Sequence, residues 1–273
     1  MTIPQKNTAG TALVTGASIG IGYELAKLFA RDGHNLVLVA RTRDQLESAA
    51  AQFKSDYGVD SRVIVKDLSD PAAPGEIHRE LQDASVDIRY LVNNAGFGSL
   101  GPFHERPIEE QIGMIQVNVM ALAHLSRLFL PGMVKNKNGH VMNIASVAAY
   151  QPGPFMATYY ATKAFVVSFS EAIANELKGT GVYVTVVNPG PTVTEFHKRA
   201  GVESSTLFSR RMTMDVTTVA QIAYDGMKKK KTVVTAGAKN KLLIFSTRLA
   251  PRSVTANVAR SLNEPRMKRR KNG

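Results

Sequence analysis

Residues 159–165, of sequence YYATKAF, place two tyrosines shortly before one lysine. On an α-helix, side chains three or four residues apart lie on the same face, so both Tyr159 and Tyr160 could contact Lys163. A tyrosine beside a fixed ammonium group is suited to acid–base catalysis, because the positive charge favours the phenolate form. Spacing alone does not decide which of the two hydroxyl groups would act.

The free energy needed to lower the pKa of a tyrosine can be compared with the electrostatic stabilisation that a lysine gives its phenolate. A free tyrosine has a pKa of about 10, so a useful acid or base near neutral pH requires about 4 kcal/mol in favour of the phenolate. An ammonium group about 4 Å away contributes roughly 4 kcal/mol at an effective dielectric constant near 20. We therefore predict that Lys163 alone can lower the pKa of its neighbour sufficiently. Ser146, at the end of an apolar run, is a further candidate hydroxyl.

The elements that would position these residues follow a regular alternation. Apolar runs rich in β-branched residues are separated by helical patterns, which is typical of a parallel sheet covered by helices on both faces. We predict one α/β domain of the doubly wound Rossmann type over residues 1–273, with its ligand site at the carboxyl ends of the strands. Helices are predicted over residues 109–130 and around residues 159–178, and Thr42 with Gln45 predicts a capping box. The predicted strands are TALVT, NLVLVA, RVIVKDL, IRYLVNNAG, GHVMNIAS and VYVTVVNPG.

A glycine-rich turn joins the first strand to the first helix. Residues 15–22 read TGASIGIG, and such a turn lets the backbone approach a phosphate that is held by free amides at the helix N-terminus. A tight turn without a ligand is the alternative interpretation. After the second strand comes Arg41, whose guanidinium group could bind a phosphate or remain a solvated loop charge.

These motifs together resemble the short-chain dehydrogenase/reductase family of NAD(P)-dependent oxidoreductases. The TGxxxGIG turn, Ser146 and the Tyr-x-x-x-Lys pattern lie within residues 10–196 in the order and spacing of that family. The resemblance implies that Tyr159, not Tyr160, is the catalytic acid or base. It also implies that Ser146 hydrogen-bonds the developing oxyanion and that Lys163 holds the nicotinamide ribose.

The resemblance further assigns Asn118 to a proton relay, in which it would hold a water molecule that links the lysine to solvent. The structural alternative is a core asparagine bonded to neighbouring backbone, because buried amides must be satisfied.

The resemblance also implies a set of cofactor contacts. Ala40 stands where NAD-preferring relatives carry an acidic residue, and Arg41 would attract a 2′-phosphate, so NADP is preferred over NAD. Ile19 departs from the basic residue of many NADP-type relatives. Asp67 would bond the adenine amino group, or could be a turn residue. The implied cofactor-binding residues are Gly16, Ser18, Ile19, Gly20, Ile21, Gly22, Arg41, Asp67, Leu68, Asn94, Ala95, Gly96, Tyr159, Lys163, Pro189, Gly190, Thr192 and Thr194.

Composition excludes several other classes of site. The chain has no cysteine, which removes disulfides and thiolate chemistry, and its six histidines show no metal-ligand spacing, so no metal is expected. The polar residues 1–9 form an extension without the apolar core of a secretory signal, and no uncharged apolar run reaches about 18 residues. We therefore expect a cytoplasmic protein.

Positive charge is concentrated in the C-terminal segment, residues 228–273. This segment has 14 Lys and Arg and one acidic residue, whereas residues 1–227 have 20 basic and 21 acidic residues. The segment could be a solvated tail or could attach to an anionic membrane surface, helped by Leu242, Phe245 and Leu249 on one helical face. Nucleic-acid binding is not expected, because the basic residues lack interleaved aromatic residues.

The leading hypothesis is an NADP(H)-dependent oxidoreductase that interconverts a carbonyl compound and a secondary alcohol, with a bulky or lipophilic substrate. A substrate lid is predicted over residues 192–214, and the family resemblance implies a homodimer or homotetramer. The alternatives are a sensor that binds NADP(H) without turnover and a membrane-surface protein that acts through its basic segment. The predicted apolar pocket walls are Phe97, Phe103, Phe155, Met156 and Phe208.

Overall fold

The computed structural model describes residues 10–192 and 213–264. Within them, seven parallel strands form one sheet in the order β3-β2-β1-β4-β5-β6-β7, which confirms the doubly wound single-domain prediction. The predicted extension, most of the predicted lid, Thr194 and Phe208 lie outside the described residues. The strands are β1 (Thr11–Thr15), β2 (Asn35–Ala40), β3 (Ser61–Val65), β4 (Ile88–Asn93), β5 (Gly139–Ile144), β6 (Val182–Asn188) and β7 (Val233–Thr235).

Helices cover both faces of this sheet. Successive strand residues point to opposite faces, so Val14 packs in one apolar cluster and Leu13 in the other. Helices α1, α2 and α7 contribute to the first cluster, and α3, α5 and α6 contribute to the second. The helices are α1 (Gly20–Arg31), α2 (Arg43–Tyr57), α3 (Ala73–Asp83), α4 (Ile108–Ile115), α5 (Leu122–Lys135), α6 (Ala157–Glu176), α7 (Val216–Lys228), α8 (Ala238–Leu249) and α9 (Arg252–Asn263).

The long helix predicted over residues 109–130 is larger and less regular than expected. Helices α4 and α5 are joined by a π-helical stretch, Gln116–Ala121, and α5 continues past Pro131. The combined helix Ile108–Lys135 is long and apolar enough for a membrane span by length and composition, which is weak evidence because core helices pass the same test. Here α5 packs on β4 and β5, as a covering helix of the sheet does.

The predicted capping box at the start of α2 is wrong. Thr42 occupies the N-cap position with extended backbone, but its side chain makes no capping hydrogen bond. The sequence pattern therefore located the start of the helix correctly and its stabilising contact incorrectly.

The described part of the basic segment belongs to the fold, which excludes a solvated tail for residues 228–264. Strand β7 pairs with β6 and completes one edge of the sheet. The side chains of Val234, Ile244 and Ala259 are buried. Helices α8 and α9 therefore pack on the body of the domain.

The glycine-rich turn is held by close backbone contacts. Gly16 has a φ of 64°, in the left-handed region that favours glycine. Gly22, inside α1, lies against the Gly16 carbonyl oxygen and the Asn94 side-chain amide, with which an added Cβ would overlap. The Asn94 amide donates hydrogen bonds to the carbonyl oxygens of Thr15 (2.9 Å) and Gly16 (3.2 Å). The turn is thus fixed to the end of β4.

Two helical glycines allow a matched test of this packing. Gly22→Ala should lower the free energy of unfolding by about 1–3 kcal/mol, because the methyl group overlaps fixed backbone. Gly75→Ala in α3 meets open space and should raise it by up to about 1 kcal/mol through lower backbone entropy in the unfolded chain. Urea unfolding followed by circular dichroism measures both. Equal effects of the two substitutions would contradict the close approach of α1 to the turn.

Candidate active site

A cleft of about 1180 Å³ opens at the carboxyl ends of the strands. Small-molecule pockets usually measure about 300–1,000 Å³, so this cleft has room for a dinucleotide and a substrate together. Of the predicted residues, Gly22 and Asn118 lie behind the lining. The predicted residues that line the cleft are Gly16, Ser18, Ile19, Gly20, Ile21, Arg41, Asp67, Leu68, Asn94, Ala95, Gly96, Ser146, Tyr159, Lys163, Pro189, Gly190 and Thr192.

Ser146 and Tyr159 meet inside this cleft. Ser146 follows β5 and caps the short 3₁₀ helix Val147–Tyr150, where its Oγ accepts a hydrogen bond of 3.1 Å from the Ala148 amide. The Ser146 hydroxyl is also hydrogen-bonded to the Tyr159 side chain. Two hydroxyl groups from different elements are therefore placed together, as the sequence predicted.

Lys163 lies one helical turn after Tyr159 and is only 5% exposed. Its Nζ donates a hydrogen bond of 2.8 Å to the Ile144 carbonyl oxygen at the end of β5 and lies 5.7 Å from the centre of the Tyr159 ring. Burial lowers the pKa of Lys163 to about 8. The ammonium form still predominates at neutral pH.

The pKa of Tyr159 differs from the sequence prediction. Burial raises it to about 12, with the Ser146 hydrogen bond acting in the opposite direction and Tyr160 adding a smaller increase. The prediction that Lys163 alone brings the phenol close to neutrality is therefore wrong. The physical reason is that burial disfavours the charged phenolate and outweighs the hydrogen bond from Ser146, which favours it.

Tyr160 has a different environment from Tyr159. Its buried hydroxyl group pairs with the side chain of Asn263 at the end of α9, with an O···Oδ1 distance of 3.3 Å. The Asn263 amide in turn donates a hydrogen bond of 2.9 Å to the Pro154 carbonyl oxygen. Tyr160 is thus a wall residue that joins α6 to α9, and Asn263 is a contact that sequence reasoning missed.

Both the oxygen and the nitrogen of the Asn118 side-chain amide are hydrogen-bonded within the protein. Its Nδ2 donates to the Phe97 carbonyl oxygen and to Thr162 Oγ1, each at 3.0 Å, and its Oδ1 accepts from the Phe97 amide at 3.1 Å. Thr162, another residue that sequence reasoning missed, donates a hydrogen bond of 2.7 Å to the Tyr159 carbonyl oxygen. Asn118 therefore has the contacts of a structural asparagine, and its part in a proton relay stays a prediction.

The end of the cleft formed by the glycine-rich turn and the start of α1 is suited to binding a phosphate. Helix α1 begins at Gly20, Ile19 at its N-cap supplies no side-chain cap, and the first turn contains no acidic residue. The amides at this helix terminus are therefore available to an anion, which the positive end of the helix dipole favours. Gly16 and Gly22 allow this tight turn, because a Cβ at either position would lie against the Asn94 side chain and neighbouring backbone.

Arg41 and Asp67, both predicted to bind the cofactor, contact each other. The distance from Arg41 Nη1 to Asp67 Oδ2 is 3.7 Å, and both side chains are about half exposed, so the pair is weak. Burial raises the pKa of Asp67, but hydrogen bonds from Ser69 and the charge of Arg41 outweigh it, and the pKa is lowered. Asp67 Oδ1 accepts from the Ser69 amide at 2.9 Å, as a turn residue does.

The apolar walls differ from those predicted. Phe97 and Met156 line the cleft, whereas Phe103 is 60% exposed and outside the lining, and Phe155 packs against Arg260. Helices α8 and α9 contribute Leu243 and Leu262 instead. These two residues were missed because the basic segment gave no local sign that it returns to the cleft. A β-bridge between Thr192 and Met214 joins the ends of the predicted lid segment.

Comparison with known proteins places these features in a family. The sequence pattern described as short chain dehydrogenase matches residues 10–204. A very-long-chain 3-oxoacyl-CoA reductase from Pyrenophora tritici-repentis is 38% identical over 194 residues, which are 68% of this chain and 56% of that protein. The chain thus matches only slightly more than half the length of this curated relative.

Solved structures match over more of their length. A short-chain dehydrogenase from Sphingobium yanoikuyae in complex with NADPH has a TM-score of 0.79 and 34% identity, covering 88% of this chain and 94% of that one. A bulky-bulky ketone specific alcohol dehydrogenase from Comamonas testosteroni has a TM-score of 0.75 and 30% identity, covering 88% and 92%.

The burial of Lys163 predicts a pH-dependent cost in stability. Its pKa of about 8 lies below the value of about 10.5 for an exposed lysine, so protonation favours the unfolded chain. Lys163→Met should therefore raise the free energy of unfolding at pH 7 by up to about 3 kcal/mol, less the lost hydrogen bond to Ile144. This gain should shrink as the pH rises above about 8, because the wild-type amine is then neutral in the folded protein.

Urea unfolding without added cofactor, repeated at pH 7 and at a pH above 9, measures this difference. Lys178→Met, at an exposed position after α6, is the control and should change stability little at either pH. A stability difference for Lys163→Met that is independent of pH would contradict the burial of a titrating amine.

Proposed function

The chain belongs to the short-chain dehydrogenase/reductase family, and from that premise we propose that it is an NADP(H)-dependent reductase of bulky, apolar ketones. The observation that carries this proposal is the meeting of Ser146, Tyr159 and Lys163 in one cleft with the glycine-rich turn. The glycine-rich turn and Arg41 would hold NADPH, which would supply the hydride for the carbonyl carbon. The protein's own groups manage the charge and the proton on the carbonyl oxygen.

In this mechanism Tyr159 donates its hydroxyl proton to the carbonyl oxygen as negative charge develops there. The Ser146 hydroxyl, hydrogen-bonded to Tyr159, turns to the same oxygen and stabilises the charge. Lys163, held by Ile144, keeps an ammonium charge beside the phenolate that remains. The proton returns to Tyr159 from solvent before the next turnover.

The raised pKa of Tyr159 fits a role as proton donor in the reductive half of the reaction. With a pKa of about 12, the phenol is protonated throughout the physiological range, as a proton donor must be. An alkoxide is a much stronger base than a phenolate, so the transfer is downhill despite this pKa. Oxidation of an alcohol would instead require the phenolate, which burial disfavours.

Arg41 supports NADP over NAD. It lies at the cleft just after β2, and no acidic residue takes the place of Ala40. Its pairing with Asp67 is weak and solvent-exposed, so a 2′-phosphate can replace the carboxylate at small cost. The related Sphingobium yanoikuyae structure, which contains NADPH, supports the same cofactor.

The lining of the cleft supports a bulky apolar substrate. Phe97, Met156, Leu243 and Leu262 supply apolar surface from four different segments. Among relatives, one is named for very-long-chain 3-oxoacyl-CoA and another for ketones with two bulky substituents. We therefore propose a ketone flanked by large apolar groups. A sensor without turnover is less consistent with a complete set of serine, tyrosine and lysine.

A homodimer or homotetramer and a cytoplasmic location stay predictions. The outer face of α4 supports self-association, because Ile108, Ile112 and Ile115 recur at helical spacing and are all exposed.

Substitution of each tyrosine separates the catalytic residue from the wall residue. Tyr159→Phe should lower kcat for NADPH oxidation with a bulky ketone by about a hundredfold to ten-thousandfold, because the proton donor is lost. Tyr160→Phe removes only the pairing with Asn263 and should keep most of the turnover. Binding of NADPH, measured by fluorescence, should persist in both variants. Loss of turnover in Tyr160→Phe with retention in Tyr159→Phe would reverse the assignment.

Cofactor preference can be tested with neighbouring arginines. Arg41→Ala should weaken NADPH binding by about tenfold to a hundredfold, the usual effect of losing a hydrogen bond to a charged group, and should leave NADH binding nearly unchanged. Arg43→Ala is the control, since Arg43 pairs with Glu47 within α2. Titration calorimetry with both cofactors provides the measurement. An equal loss for NADPH and NADH in Arg41→Ala would contradict recognition of the 2′-phosphate.

A further inference from the structure

Helices α8 and α9 expose large apolar side chains to solvent. On α8, Leu242 is 68% exposed, Phe245 58% and Leu249 74%, and their spacing places them on one face of the helix. On α9, Val254 and Val258 lie one turn apart and are about half exposed. These five residues are named here the α8–α9 apolar face.

The segment that carries this face is strongly basic. Between residues 228 and 264 the chain has nine Lys and Arg and one acidic residue, Glu264, which lies 3.9 Å from Arg260. Residues 1–227 have 20 basic and 21 acidic residues, so the excess charge of the protein is concentrated in this region. The exposed basic residues on the two helices are Lys239, Lys241, Arg248, Arg252 and Arg260.

We propose that the α8–α9 apolar face docks the protein on an anionic membrane surface. An amphipathic helix with leucine and phenylalanine on one side and basic residues at its borders inserts its apolar face at the boundary between headgroups and acyl chains. The basic residues then contact anionic headgroups, which adds to the affinity. Charge and apolar exposure thus favour the same occupant.

The same two properties argue against other occupants. A second copy of this chain would bring two strongly positive faces together, which is unfavourable. Nucleic acid would match the charge but would leave Leu242, Phe245 and Leu249 in contact with water or phosphates. An anionic lipid surface accommodates both the apolar side chains and the charge.

Docking in this orientation has a consequence for the cleft. Leu243 of α8 and Leu262 of α9 line the cleft from another face of the same two helices. The membrane would therefore lie beside one wall of the substrate site. This last point rests on the proposed function, because it gives an apolar ketone a short route from the lipid phase to the cleft.

Cosedimentation of the purified full chain with vesicles tests the docking without any activity measurement. The wild type should sediment with vesicles of phosphatidylcholine mixed with phosphatidylserine and much less with pure phosphatidylcholine. Leu242→Ser with Phe245→Ser, and separately Lys241→Glu with Arg248→Glu, should each weaken this binding by about tenfold or more. Lys135→Glu with Lys137→Glu, at exposed positions near the end of α5, changes the net charge equally and should have little effect.

Several results would overturn the proposal. One is equal loss of binding in the two charge-reversal variants, which would indicate attraction by net charge alone. Another is undiminished vesicle binding in both α8 double variants, the apolar one and the charge-reversal one. Duplex DNA could instead bind tightly and compete with vesicles. If its affinity were the same for the wild type and for Leu242→Ser with Phe245→Ser, the face would be assigned to nucleic acid. A smaller oligomer for that apolar variant in sedimentation velocity would assign it to self-association. Vesicle binding without NADPH turnover would refute the proposed function alone.

Discussion

The parallel direction of all the strands in the described sheet is the constraint on which the site depends. Parallel neighbours require a helical crossover after each strand, so every strand end meets the start of a loop or helix at the same edge. The glycine turn after β1, Arg41 after β2, Asn94 after β4 and Ser146 after β5 therefore converge although they are far apart in sequence. No single motif makes the cleft.

Burial acts on the two central titratable groups in opposite senses. It lowers the pKa of Lys163 to about 8 and raises that of Tyr159 to about 12, because in each case the neutral form is favoured in a dry environment. The fold holds the amine there with a hydrogen bond to the Ile144 carbonyl group rather than with a carboxylate. An acidic partner would neutralise the positive charge that the proposed mechanism uses beside Tyr159.

Sequence patterns predicted what depends on local spacing. The doubly wound sheet, the glycine turn and the candidates Ser146, Tyr159 and Lys163 follow from short motifs, and the structure brings these residues to one cleft. The choice of Tyr159 over Tyr160 as the catalytic residue stays a prediction. Contacts between distant segments were missed, since nothing near Asn263 indicates Tyr160 as its partner. The same limit explains the incorrect wall residues Phe103 and Phe155. The predicted direction of the Tyr159 pKa shift was wrong, because helical periodicity does not reveal how deeply the tyrosine ring is buried.

The bond between Asn263 and Tyr160 also bears on how such an enzyme could acquire new specificities. It attaches the last described helix to the residue next to the proton donor, while Leu262 one position earlier faces the ligand cleft. Substitution of Leu262 therefore alters the wall of the cleft from an element other than α6, which carries Tyr159 and Lys163. The last described helix thus shapes the ligand cleft, while its Asn263 side chain binds it to Tyr160 and to the Pro154 carbonyl oxygen.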